Sequence, residues 1–161
     1  MVAVVSIAGF YAYNQYNTLK TQEYLKTSQE LKDNATSYFN QAANYENRGD
    51  YSNAIISYQK SGEQYKKALN INNQASNYAT GVYREYLDND ILLLDKTAKL
   101  IEYKIYINQY RNNSLNIGQE KVNPTVLTPY IDNLVKEVAN CKATENQIIN
   151  NNPEAFKFLN R

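Results

Sequence analysis

Residues 38–60 read YFNQAANYENRGDYSNAIISYQK, with small and aromatic side chains at helical intervals on both sides of a single glycine. Tyr38, Ala42 and Tyr45 stand four and three residues apart before it, and Tyr51, Ala54 and Tyr58 stand three and four apart after it. That spacing puts each trio on one face of a helix. Gly49 suits the left-handed conformation that ends a helix, and Asp50 supplies a side-chain acceptor to begin the next. The stretch therefore predicts an antiparallel helical hairpin, its small residues allowing close approach and its aromatic rings filling the gaps.

Helical spacing continues in both directions. Leu25, Leu31, Ala35, Tyr38, Phe39, Ala42 and Tyr45 fall along one apolar stripe, and neither Pro nor Gly occurs between Asn14 and Asn47. A helix from the N-terminus to Asn47 would be about 70 Å long at 1.5 Å per residue. The second helix carries its stripe on through Gly62, Tyr65, Ala68 and Leu69. A third region runs from Ala75 through Val82, Ile91, Leu94, Ala98, Ile101 and Ile105 to about Arg111. Within it, DND at 88–90 reads either as a bend with Asp90 capping a new helix or as the solvated face of one long helix. Residues 112–129 form the longest loop-like stretch, and Thr128 followed by Pro129 predicts the cap and first turn of a fourth helix. Ile131, Leu134, Val135, Val138, Cys141, Ile148 and Ile149 supply its apolar face. Four such regions, with only five Gly and three Pro in 161 residues, predict an all-α antiparallel bundle of about four long helices, one domain over residues 14–161.

Residues 35–61 resemble a tetratricopeptide repeat. Tyr38, Ala42 and Tyr45 occupy the large, small and aromatic places of that family's first helix, and Gly49, Asp50, Tyr51, Ala54 and Tyr58 stay in register through its turn and second helix. Lys66 stands where the repeat's closing proline belongs, and a shift of 34 residues finds no convincing second copy. The resemblance thus implies a hairpin geometry and not a superhelical array, which needs about three repeats. It also implies that Phe39, Ala43 and Asn47 lie on the side that such a hairpin turns towards a partner protein.

Residues 1–13 differ from the rest. Val2, Val4, Val5 and Ile7 do not keep to one helical face, no charge interrupts them, and Phe10, Tyr11, Tyr13 and Tyr16 follow like an interfacial aromatic belt. The stretch is shorter than the roughly 20 apolar residues of a transmembrane helix and has no positively charged region before it. We read it as part of a membrane anchor continuous with the first helix, the competing reading being a helix buried in the bundle. The sequons at Asn34 and Asn112 are candidate glycosylation sites compatible with a domain facing the cell exterior.

Reactive chemistry is scarce. With no histidine, a Ser-His-Asp triad, a Cys-His pair and a histidine metal site are all excluded, and no glycine-rich phosphate cradle is present. Cys141 has no second cysteine to pair with and reads as a small packing residue. The 17 basic and 16 acidic residues are spread along the chain without the basic stripe that nucleic acid requires. Glu23 with Glu30, Glu46 with Asp50, and Glu85 with Asp88 are the carboxylate pairs in reach of one another, and all read as solvated helix surface. Tyr103, Tyr106, Tyr110 and Arg111 read as packing residues, with a stacking platform for sugars or bases as the competing use. The expectation is a non-catalytic, surface-anchored helical scaffold that binds another protein, with no cofactor, metal or nucleic acid. An extracytoplasmic four-helix sensor and a soluble cytoplasmic repeat-type adaptor are the alternatives.

Overall fold

The structure, a computed structural model, describes residues 2–115 and 121–159, with side chains from residue 11 onward. The chain forms an all-α antiparallel bundle. Its elements are α1 (Val2–Asn47), α2 (Tyr51–Ala75), α3 (Val82–Arg111), α4 (Pro124–Asn151), the short α5 (Pro153–Phe156) and a closing 3-10 turn, Lys157–Leu159. Each long helix packs against the next in sequence, and α4 rests chiefly on α3.

The turn at Gly49 has the geometry its residues dictate. Gly49 takes φ +76°, the Asp50 N–H reaches the Tyr45 carbonyl at 3.0 Å, and the Gly49 N–H reaches that of Glu46 at 3.0 Å. These two bonds satisfy carbonyls that the end of α1 would leave orphaned. Asp50 then accepts from the Asn53 N–H and starts α2. A second closure of the same kind ends α3, where Asn113 adopts φ +52° and the Ser114 N–H reaches the Gln109 carbonyl at 2.9 Å.

Two apolar clusters lie at opposite ends of the bundle. Ala42, Ala54, Tyr58 and Ile101, with Phe39, Tyr45, Tyr65 and Ile105 against them, join the end of α1, the start of α2 and the second half of α3. Leu25, Ala75, Ala79, Tyr86, Leu87, Ile148, Phe156 and Leu159 join the other end. Fully buried alanines at 35, 42, 54, 68 and 75 keep α1 and α2 close, and Ser61 donates to the Ala35 carbonyl at 2.8 Å.

Two expectations are corrected. At 88–90 the alternative of one long helix holds, because α3 runs unbroken through the segment, but its face is not simply solvated: Asp90 is fully buried. The fourth helix begins at Pro124, capped by Asn123, so that Pro129 lies inside it rather than at its start. The reason is the anchoring of the preceding residue. The Tyr106 hydroxyl donates to the Val122 carbonyl at 2.9 Å and accepts from the Val122 N–H at 2.7 Å, fixing the chain against α3 just ahead of Asn123.

Candidate functional site

Between the two apolar clusters the bundle is crossed by a buried polar layer. Lys32 of α1 places its ammonium 2.9 Å from both Asp90 carboxylate oxygens and 3.2 Å from Glu145 Oε1. The Tyr86 hydroxyl donates to the same Glu145 oxygen at 2.7 Å, and Asn72 of α2 donates to Asp90 Oδ2 at 2.9 Å. All five residues are buried, so each of the four long helices contributes one group or more to a site that water scarcely reaches. Burial pushes the Asp90 carboxyl above its ordinary range; the Lys32 ammonium opposes that, and the Glu145 carboxylate adds to it. A cavity of about 160 Å³ adjoins this layer, with Lys32, Asp33, Tyr65, Lys142 and Glu145 in its wall.

Sequence reasoning missed this layer, although it left a signal. Lys32 lies on the α1 stripe between Leu25 and Phe39, and Asp90 stands between Leu87 and Leu94 on α3. Glu145 likewise stands between Cys141 and Ile148 on α4. Three charges of both signs at core positions of three amphipathic helices announce a buried ion pair, because an unpaired charge there is too costly to keep.

A larger cleft, about 730 Å³, opens between α3 and the first half of α4. Its walls are built from two facing stripes. Lys96, Lys99, Tyr103 and Tyr106 recur at three- and four-residue steps on α3, as do Leu127, Tyr130, Leu134 and Glu137 on α4. The Lys96 ammonium and Glu137 carboxylate pair across the cleft at 2.8 Å, and the Tyr106 hydroxyl holds Val122 at its other end. Tyr130 is 61% exposed although it lines the cleft, and Val126 is exposed one turn earlier. Of the four residues considered as a stacking platform, Tyr103 and Tyr106 are here. Tyr110 instead lies beneath the Lys121 ammonium, and Arg111 lies over the Tyr51 ring and pairs with Glu46.

The hairpin residues come together. Ala42, Ala54 and Tyr58 share the first cluster with Tyr45; Tyr38 packs beneath Lys60, Tyr51 beneath Arg111, and Gly49 makes the turn. Phe39 sits edge-on to Tyr58 at 5.3 Å between ring centres, which commits its ring to internal packing, while Ala43 is half-buried and Asn47 exposed. Asn34 is exposed on α1, and exposed Asn112 donates to Ser52 Oγ at 3.0 Å. Of the carboxylates considered as pairs, Glu23 binds Lys20, and Glu46 binds Tyr58, Lys104 and Arg111. Cys141 is buried, and desolvation pushes its thiol up, away from the nucleophilic form.

The described part of the N-terminal stretch, Tyr11 to Tyr16, is exposed throughout, and the side chains of residues 2–10 lie outside the described residues. Among the described residues no helix is long and apolar enough to cross a membrane, and no group of three or more acidic or cysteine side chains could hold a metal ion. No protein-family model matches the chain, and neither a curated protein nor a solved structure does.

Proposed function

We propose that the protein is a non-catalytic helical interaction module that receives a segment of a partner protein in the cleft between α3 and α4. The observation that carries this reading is the cleft itself. Two antiparallel helices turn stripes of tyrosine and leucine towards a shared space that their own packing does not fill. Aromatic side chains with a polar rim are the composition of protein-binding hot spots. In this reading the first hairpin with Phe39 serves as the support of the module, and docking takes place on the second. Residues 1–13 tether it to a membrane surface, a role to which the exposed Tyr11, Tyr13 and Tyr16 are suited.

A photo-reactive phenylalanine analogue at Tyr130, in the cells that make the protein, tests the reading. One discrete adduct is expected from position 130, none from the exposed Lys26 on α1, and loss of the adduct when Tyr103 is changed to Ser. Equal labelling from both positions would remove the cleft from consideration. The volume also lies within the range of small-molecule sites. Adduct failure combined with ligand-dependent shifts of the Tyr103 and Tyr130 resonances would favour the sensor reading instead.

A further inference from the structure

Lys32 brings one positive charge to the buried layer, whereas Asp90 and Glu145 bring two carboxylates. With all three groups ionised they carry one net negative charge between them, and burial makes such a charge unfavourable. The small cavity gives the layer access to solvent, since Lys32 and Glu145 both line it. Of the long helices, α4 has the smallest contact with the rest of the bundle, and Glu145 binds it to Lys32 of α1.

We propose that the Lys32, Asp90 and Glu145 cluster is a proton-controlled latch that seats α4 and thereby sets whether the α3–α4 cleft is formed. A proton taken up by the carboxyl pair leaves one ammonium facing one carboxylate, and α4 is held. Loss of that proton to solvent leaves two carboxylates facing one ammonium in the core, and α4 loosens because it has the fewest other contacts to give up. The proton belongs to the pair, because both carboxylates share one ammonium.

The sign follows from the direction of the Asp90 shift. Its folded-state carboxyl is raised by burial, with the Lys32 ammonium opposing and the Glu145 carboxylate reinforcing the shift. The seating of α4 is therefore strongest below the ordinary carboxyl pKa, about 4, and is lost as pH rises through the raised value. The charged and titratable groups facing the cluster are Asp33 on α1, Tyr65 on α2, Tyr86 on α3 and Lys142 on α4. The Lys96–Glu137 pair also joins α3 to α4 and acts in the opposite sense, because its lysine holds the Glu137 carboxyl below the usual range.

The latch deepens the interaction reading by regulating the same cleft, but its test needs no partner. Amide exchange of α4 in the full chain is measured from pH 5 to pH 8 and corrected for intrinsic rates. The protection of residues 134–149 is expected to fall at least tenfold, while that of residues 35–61 holds. In Asp90→Asn and in Glu145→Gln, where a single carboxyl group is left facing the one ammonium, the fall is expected to disappear; in Glu137→Gln it is expected to remain. A wild-type fall that persists in both amide variants overturns the latch, as does a flat wild-type profile or failure of both variants to fold. Tyr103→Ser, with the photo-reactive residue kept at position 130, separates the two ideas: lost partner capture with an unchanged pH profile leaves the latch standing, and a normal profile without any partner adduct sinks the interaction reading alone.

Discussion

Arg111, the last residue of α3, donates from Nη1 to Glu46 Oε1 at 2.9 Å and so ties the end of that helix to the end of α1 across 65 residues of sequence. The other Glu46 oxygen accepts from the Tyr58 hydroxyl at 2.8 Å and from Lys104 at 3.3 Å. Burial alone would raise the Glu46 carboxyl, but the Tyr58 hydroxyl, Lys104 and Arg111 outweigh it and hold the group below its ordinary value. A folded-state pKa below the unfolded one gives stability that is present above the unfolded value, about 4.3, and lost as pH falls through the folded one. Glu46→Gln is expected to cost about 1.5 to 3 kcal/mol at pH 7, the worth of hydrogen bonds to a charged group. In urea titrations the loss should shrink below pH 4; an unchanged loss at pH 3 would mean that the carboxylate charge is irrelevant.

Ala42 and Ala54 are both fully buried in the cluster that joins α1 to α2. Neither site has room for three more carbons without moving a helix. Ala42→Leu and Ala54→Leu are each expected to destabilise the fold by about 1 to 3 kcal/mol. Unchanged denaturation midpoints in both would show that the helices separate there at no cost.

Asn17 is the first buried side chain on the described part of α1, and Tyr11 is 70% exposed. A chain beginning at Asn14 is therefore expected to keep a cooperative thermal transition within about 2 to 4 °C of the intact protein, the shift that about 1 kcal/mol produces at this size. Loss of the transition would place the removed residues in the core and end the membrane-tether proposal.

Pro129 lies inside α4, in its second turn, where it has no N–H to offer the preceding turn. Because Pro129 is exposed, Pro129→Ala adds that hydrogen bond without opening a cavity. It is expected to stabilise the protein by about 1 to 3 kcal/mol. Slower amide exchange confined to residues 125–135 checks it, and a lower midpoint would mean that the ring supports the cleft.

The hairpin was legible in the residues because its signals are local. Gly49 and Asp50 close hydrogen bonds within five residues of themselves, and the faces of α1 and α2 follow from a period of 3.6 residues. Whether α4 starts at Asn123 or at Thr128 was not decided locally, since each is a cap-forming residue followed at once by proline. The choice falls to Tyr106, sixteen residues before the Val122 backbone that it holds. The buried layer is further still from local reading: Asp90 lies 58 residues from Lys32, and Glu145 lies 113. A lysine on an apolar stripe is destabilising until carboxylates from other helices meet it in the core, so its partners and its proton are properties of the assembled bundle. Periodicity and capping chose the helices, and the pairing of charges removed from water could be set only by how those helices pack.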